Sequence, residues 1–336
     1  MRRYTATLRL FGLLAVLMLL LAACGGGDEP AADEPAAEGG SEANGAAADG
    51  GGPVAETVDL SGASVTVGSK EFTEQRLVGQ MAVAALEAAG AQVTDQTGLT
   101  GTETVRTALE NGEVDMYWEY TGTGWITILQ NTDPLEGAEQ YYTQVRDADA
   151  ENGIVWLEPS EVNNTYAFFT SPAANLEATT ISDLATLAQE SPEQVTLCAA
   201  TEFVTRPDGL PGVQETYGFE FSEVVEADLP LAIQAAIEGE QCTVGEIFQT
   251  DPQILAQDLT LLEDDQGFFP VYNLAMTISE ETYTENQEAY DTLFGEITAL
   301  LDNDTMTELN GQVELEGGDP ADVAREFLAE NGIISG

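Results

Sequence analysis

Histidine is absent from this chain of 336 residues, lysine occurs once, and cysteine three times. Without imidazole, the side chain most often used for acid–base catalysis near neutral pH and for metal ligation is missing. No nucleophile elbow, nucleotide-binding loop or metal-ligand spacing compensates, so neither an enzyme, a metal centre nor a bound cofactor is expected. Positive charge is equally scarce: nine Lys and Arg stand against 60 Asp and Glu. All the acids follow Cys24, whereas only six of the basic residues do. Such a balance excludes nucleic acid and anionic membrane surfaces as partners. A solvated acidic surface almost devoid of lysine is also what strong salt, which screens self-repulsion, favours, and a halophilic protein is expected. Beyond the first residues no apolar run approaches the roughly 20 residues of a membrane span, so any transport energy would have to come from other chains.

What is present begins with an export signal. Arg2, Arg3 and Arg9 lead into the apolar run 10–21, and Leu21-Ala22-Ala23-Cys24 has the lipobox pattern. Residues 1–23 therefore read as a lipoprotein signal peptide and Cys24 as the lipidated first residue of the mature chain, held on the outer face of the cell membrane or in the periplasm. Residues 24–61 are Gly, Ala, acid and Pro-rich, with too little apolar surface to offset chain entropy, and read as a disordered tether. The remaining cysteines, Cys198 and Cys242, form an even pair in an oxidising compartment and are expected to be bridged.

With 43% hydrophobic residues the rest is long enough for two domains. Strand and helix patterns alternate from Ser64: a β-branched strand over 64–67, a helix capped by Thr73 and ended by Gly90, a strand over 92–97, a helix over 103–111 and a strand over 114–120. This βαβαβ rhythm predicts a mainly parallel sheet. A second α/β unit follows, with strands over 195–199 and 242–248, and three amphipathic helices close the chain from about Glu288. Two α/β lobes place a small ligand between them, beyond the carboxyl ends of strands.

Lys70, the single lysine, sits where a strand meets a helix, a place suited to anion capture. Arg206, in the loop Glu202-Phe203-Val204-Thr205-Arg206-Pro207-Asp208-Gly209, can bind a ligand carboxylate in bidentate fashion or pair with Asp208 or Glu202. Tyr120, Tyr166, Phe248, Phe268, Phe269 and Tyr272 cluster at turns and strand ends, where aromatics serve a core as readily as a site.

Seven short tracts settle more than any one of them. Val67-Gly68-Ser69-Lys70-Glu71-Phe72-Thr73-Glu74-Gln75 resembles the opening signature of the substrate-binding proteins of glycine betaine, choline and osmoprotectant ABC importers. Residues 108–115, 119–123 (Glu-Tyr-Thr-Gly-Thr), 163–167 (Asn-Asn-Thr-Tyr-Ala), 206–209 (Arg-Pro-Asp-Gly), 262–265 and 269–272 (Phe-Pro-Val-Tyr) continue the resemblance in the family's order. It implies an α/β, two-lobe type II periplasmic-binding-protein fold, with residues 62–164 and 274–336 in one lobe, 165–273 in the other, and a ligand cleft between them. It implies a ring cage of Tyr120, Tyr166, Phe248 and Tyr272 for a quaternary ammonium group, Lys70, Thr123 and Arg206 for a carboxylate, and Asn164 near the hinge. Phe248 departs from the family's usual tyrosine, keeping the ring face without the hydroxyl. The implied partners are a small quaternary ammonium ligand and the permease and ATPase subunits of an importer. A binding protein for another small solute, such as proline or a polar amino acid, is the alternative, and would lack the cage.

Overall fold

The computed structural model describes residues 53–131 and 135–336. The signal peptide, Cys24 and the tether as far as residue 52 lie outside the described residues. The last part of the segment read as a disordered tether, 53–61, is instead ordered, with Ala55 and Leu60 buried and the Val54 and Ala55 amides donating to the Gly332 and Ile333 carbonyls.

Helix α1 (Val54–Thr57) leads into β1 (Ser64–Lys70), α2 (Thr73–Ala88), β2 (Gln92–Leu99), α3 (Thr102–Glu110) and β3 (Met116–Tyr120). The β-branched residues of β1 suit a pleated surface, and Val65 and Val67 are buried under Leu77, Val78 and Met81 of α2. Thr73 is the first helical residue, not the cap. Phe72 takes the cap position and makes no side-chain capping bond, because a phenyl ring has no acceptor to offer; the residue lines the cleft instead. The single turn α4 (Thr121–Thr123) runs into a π turn over Gly124–Ile128, followed by α5 (Gly137–Asp149) and β4 (Ile154–Trp156).

The chain then crosses to a second sheet through β5 (Tyr166–Thr170), α6 (Ile181–Glu190), β6 (Thr196–Ala200), α7 (Thr201–Thr205), α8 (Leu210–Tyr217), β7 (Glu223–Ala227), α9 (Leu229–Glu238), β8 (Val244–Phe248), α10 (Gln253–Ala256) and β9 (Thr260–Leu262). It returns as β10 (Leu274–Ser279) and ends in α11 (Glu280–Glu285), α12 (Gln287–Thr298), α13 (Asn303–Glu314) and α14 (Pro320–Glu330).

Strand order is β2-β1-β3-β10-β4 in the first sheet and β7-β6-β8-β5-β9 in the second. The mainly parallel sheet read from the βαβαβ rhythm holds, with one reversed strand in each sheet of five. Strand β1 pairs parallel with β2 and β3, but β10 runs antiparallel to both β3 and β4. In the second sheet β6 pairs parallel with β7 and β8, while β5 is antiparallel to β8 and β9. Both antiparallel strands are the ones by which the chain enters a sheet from the other, so they arrive reversed relative to the βαβ strands already there.

The two crossings run side by side. Asn163 and Asn273 form an antiparallel bridge, Asn164 N–H donates to the Tyr272 carbonyl, and Asn163 Oδ1 accepts from the Tyr272 amide at 2.8 Å. Asn303 at the start of α13 reaches back to both backbone groups of Asn163. Side-chain amides thus satisfy backbone groups that no sheet covers. Cys198 of β6 and Cys242, which precedes β8, are joined by a disulfide with their Cα atoms 5.6 Å apart.

Candidate functional site

A cleft of about 790 Å³ lies at the carboxyl ends of β1, β3, β6 and β8. Lys70, Tyr120, Thr123, Asn164, Tyr166, Arg206, Phe248 and Tyr272, far apart in the chain, all line it. Topology explains the convergence: Lys70 ends β1, Tyr120 ends β3, Phe248 ends β8, and Tyr166 opens β5, which runs the other way beside β8.

The rings meet at close range. Tyr166 and Phe248 are partners across the β5–β8 ladder, with centroids 5.0 Å apart. Tyr272 stands edge-on to Tyr166 at 5.5 Å, and Phe203 of α7 lies 5.0 Å from it. From the first sheet's side, Phe72 approaches Phe248 at 5.3 Å and Tyr120 at 6.4 Å. Gly122 makes room for this packing, since a Cβ there would come within 2.8 Å of the Tyr272 ring and of the Val271 carbonyl. Two of these rings already face a cation of the protein: Lys70 Nζ lies 5.1 Å from the Tyr120 centroid, and the Arg206 guanidinium carbon 5.5 Å from that of Tyr166.

The two cations are committed to carboxylates of the protein. Lys70 Nζ donates to Glu119 Oε1 at 2.5 Å, and Glu119 is wholly buried. Arg206 makes both of the pairings open to it in sequence, the closer one with Asp208: Nε donates to Oδ1 at 2.8 Å and Nη2 to Oδ2 at 2.5 Å. Its remaining donors reach Glu202 and Thr123 Oγ1, each at 3.3 Å. Tyr272 Oη donates to Asp208 Oδ2 at 2.8 Å, tying a ring to the pair. Burial alone would raise the Asp208 carboxyl, but the Arg206 guanidinium outweighs it and holds the group below the ordinary carboxylate range. Glu202 is held low in the same way, against burial, by Arg206 and then Lys70.

Other acids in the cleft wall lack such partners. Burial pushes Glu246 up to about 8; Oε2 accepts the Ala200 amide at 2.8 Å, and Oε1 has no hydrogen bond among the described residues. Asp251 is pushed up to about 7 by burial and then by the charge of Glu314. Among the described residues no group of acids or cysteines is arranged to hold a metal ion.

Sequence reasoning did not single out Phe72, Glu74, Phe203 or Thr250, all of which line the cleft. Phe72 and Glu74 stand inside the tract that carried the resemblance, beside Lys70. Phe203 and Thr250 follow strand ends, the position that signals a site in an open α/β sheet.

A family model described as the substrate-binding domain of an ABC-type glycine betaine transport system matches residues 63–330. The chain is 35% identical over 280 residues to a glycine-betaine-binding protein of Pseudomonas aeruginosa, covering 81% of this chain and 89% of that one. Among solved structures, unliganded YehZ from Escherichia coli superimposes with a TM-score of 0.59 at 31% identity, over 80% of this chain and 99% of its own. A crystal structure titled as a glycine betaine/carnitine/choline ABC transporter gives 0.64 at 24% identity over 80% and 99%, a likeness of fold. The architecture is the two-lobe type II binding-protein fold.

Proposed function

The chain belongs to the family of substrate-binding domains of ABC-type glycine betaine transport systems, and from that premise we propose that it captures a quaternary ammonium osmoprotectant, such as glycine betaine or choline, between its two sheets. Tyr120, Tyr166, Phe248 and Tyr272 form the cage, with Phe72 as an added wall. The observation that carries this reading is the convergence of these rings at one cleft from both sheets. A trimethylammonium group has no N–H to donate, so ring faces, worth roughly 0.5–2 kcal/mol per good contact, are the chemistry available to recognise it.

Lys70, Thr123 and Arg206 meet the ligand's other end. Because Lys70 and Arg206 are already neutralised by Glu119 and Asp208, they offer a carboxylate a polar, charge-balanced wall and not two free cations. Recognition then rests on the rings, and choline is expected to bind within about tenfold of glycine betaine, a difference of roughly 1.4 kcal/mol or less. The lobes are residues 62–164 with 274–336, and 165–273. They close by rotation about the paired crossings at Asn163 and Asn273, and the closed complex docks on a permease whose ATPase subunits supply energy.

Calorimetric titration of the protein lacking residues 1–24, in molar salt, with glycine betaine and choline side by side, tests this. Saturable binding of both supports the cage. Binding of betaine alone makes the carboxylate contacts dominant, and binding of neither, with proline bound instead, replaces the ligand assignment.

Substrate-binding proteins of ABC importers work outside the cytoplasmic membrane, and Cys24 is proposed to tether this one there by a lipid. Replacing Cys24→Ser is expected to move the protein from the membrane fraction to the medium or periplasm; unchanged partitioning on fractionation would remove the anchor.

A further inference from the structure

Glu74 is 2% exposed and stands in the first turn of α2, yet its carboxylate is shared by four elements. Oε1 accepts from Tyr120 Oη at 2.7 Å and from Asn164 Nδ2 at 2.9 Å. Oε2 accepts from Thr250 Oγ1 at 2.5 Å and from Asn310 Nδ2 at 3.2 Å. Tyr120 ends β3 of the first sheet, Asn164 lies on the first crossing, Asn310 belongs to α13, and Thr250 follows β8 of the second sheet, two residues after Phe248. Asn164 completes the circuit, its Oδ1 accepting the Thr250 amide at 3.3 Å. Asn310 Nδ2 also donates to the Thr250 carbonyl at 3.2 Å.

Burial of a carboxylate is costly unless its lone pairs are met, and one of the four donors that meet them here, the Thr250 hydroxyl, is in place only while the second sheet stands against the first. Withdrawal of the β8 end removes the Thr250 hydroxyl and leaves a buried acid short of one of its strongest bonds. The same acid orients the ring of Tyr120 from below, so the state that satisfies it is also the state in which Tyr120 and Phe248 face the cleft together.

We propose that Glu74 is a positioning residue that latches the two sheets in the closed arrangement and, through Tyr120, couples closure to assembly of the ring cage. This rests on the reading of the cleft as a quaternary ammonium site, but the latch itself does not require a ligand to be seen. A bond that exists only in the closed state, as Glu74–Thr250 does, shifts the population toward it, whether or not the residue touches the ligand.

The test uses Glu74→Gln and Thr250→Val, each nearly isosteric, and their combination. Spin labels on Thr107 of α3 and Glu215 of α8, both exposed, report the separation of the sheets in the unliganded protein. Both variants are expected to lengthen that distance or broaden its distribution, and each to weaken choline binding by tenfold or more in titration. The double variant is expected to lose no more than Glu74→Gln alone, because both changes break the same bond. An unchanged distance with a merely lowered melting temperature makes Glu74 a packing residue and overturns the latch, as do additive losses in the double variant. If the parent protein binds no quaternary ammonium, the ligand assignment fails while the label distances still decide the latch.

Discussion

Arg206 shows how a residue's type leaves its role open until its neighbours are known. Its bidentate geometry suits a ligand carboxylate, but Asp208, two residues along, occupies the same two donors and carries the hydroxyl of Tyr272 on the other side. A buried guanidinium without such a partner would be a large electrostatic penalty, so in this structure the pair stands as a rigid wall behind Tyr166. Tyr166 touches Phe203, Phe248, Phe269 and Tyr272 and is the ring with the most aromatic neighbours in the cleft. Tyr166→Ala is expected to weaken quaternary ammonium binding by at least about tenfold through loss of a ring face and of the packing that aligns its neighbours. Tyr166→Phe, which keeps the face, is expected to cost much less, and titration of the two variants side by side distinguishes cage from core. Equal, small losses in both would mean the ring is not a wall of the site.

At the scale of elements, the cleft exists because strands from two sheets end at one place. Strand β8 is the clearest case: Gly245 leaves room for Phe169 on one face, while Glu246 and Phe248 point to the other, beside Phe168 and Tyr166. The disulfide ties Cys198, central in β6, to the chain just before β8, fixing two parallel neighbours whose far ends carry α7 and Phe248. Closing a loop of sequence separation 44 restrains the unfolded chain by roughly 4 kcal/mol in the loop-entropy model. Reduction, or replacement of both cysteines by alanine, is therefore expected to lower stability to denaturant by about 2–4 kcal/mol while leaving ligand affinity within a few-fold. A large affinity loss without a stability loss, measured by denaturation and titration, would instead place the bridge in the binding mechanism.

For the whole molecule the dominant fact is charge: 60 acids and nine basic residues. Most of the few cations are spent inside or on short-range pairs, as with Lys70–Glu119, Arg106–Asp149 and Arg206–Asp208, so the remaining acids face one another across solvent. At low ionic strength that repulsion acts against the compact state, and at molar salt the Debye length falls to about 3 Å and removes it. The melting temperature is expected to rise by 10 °C or more between about 0.1 M and 2 M KCl, an interval over which surface charges become screened. A salt-independent melting curve would detach the acidic surface from any adaptation to strong salt.

The alternation of Val65, Thr66 and Val67, the apolar stripe of Leu77, Val78 and Met81, and the glycines that stop helices were enough to place the first strands and helices within a few residues. Local backbone preference and periodic burial act over neighbouring positions, and these are visible in a linear chain. Motif order likewise brought Lys70, Tyr120, Thr123, Asn164, Tyr166, Arg206, Phe248 and Tyr272 to one candidate site, and all eight line one cleft. Strands β7, β9 and β10 carried too little periodic signal to be read, and the antiparallel sense of β5 and β10 follows from crossings between sheets that no local pattern encodes. Whether Lys70 and Arg206 are free or paired, and that Glu74 gathers donors from sequence positions 120, 164, 250 and 310, was decided by tertiary structure alone. Partnerships of buried charge depend on which desolvated groups come within about 3 Å, and that distance is set by the packing of whole sheets, not by the order of residues along the chain.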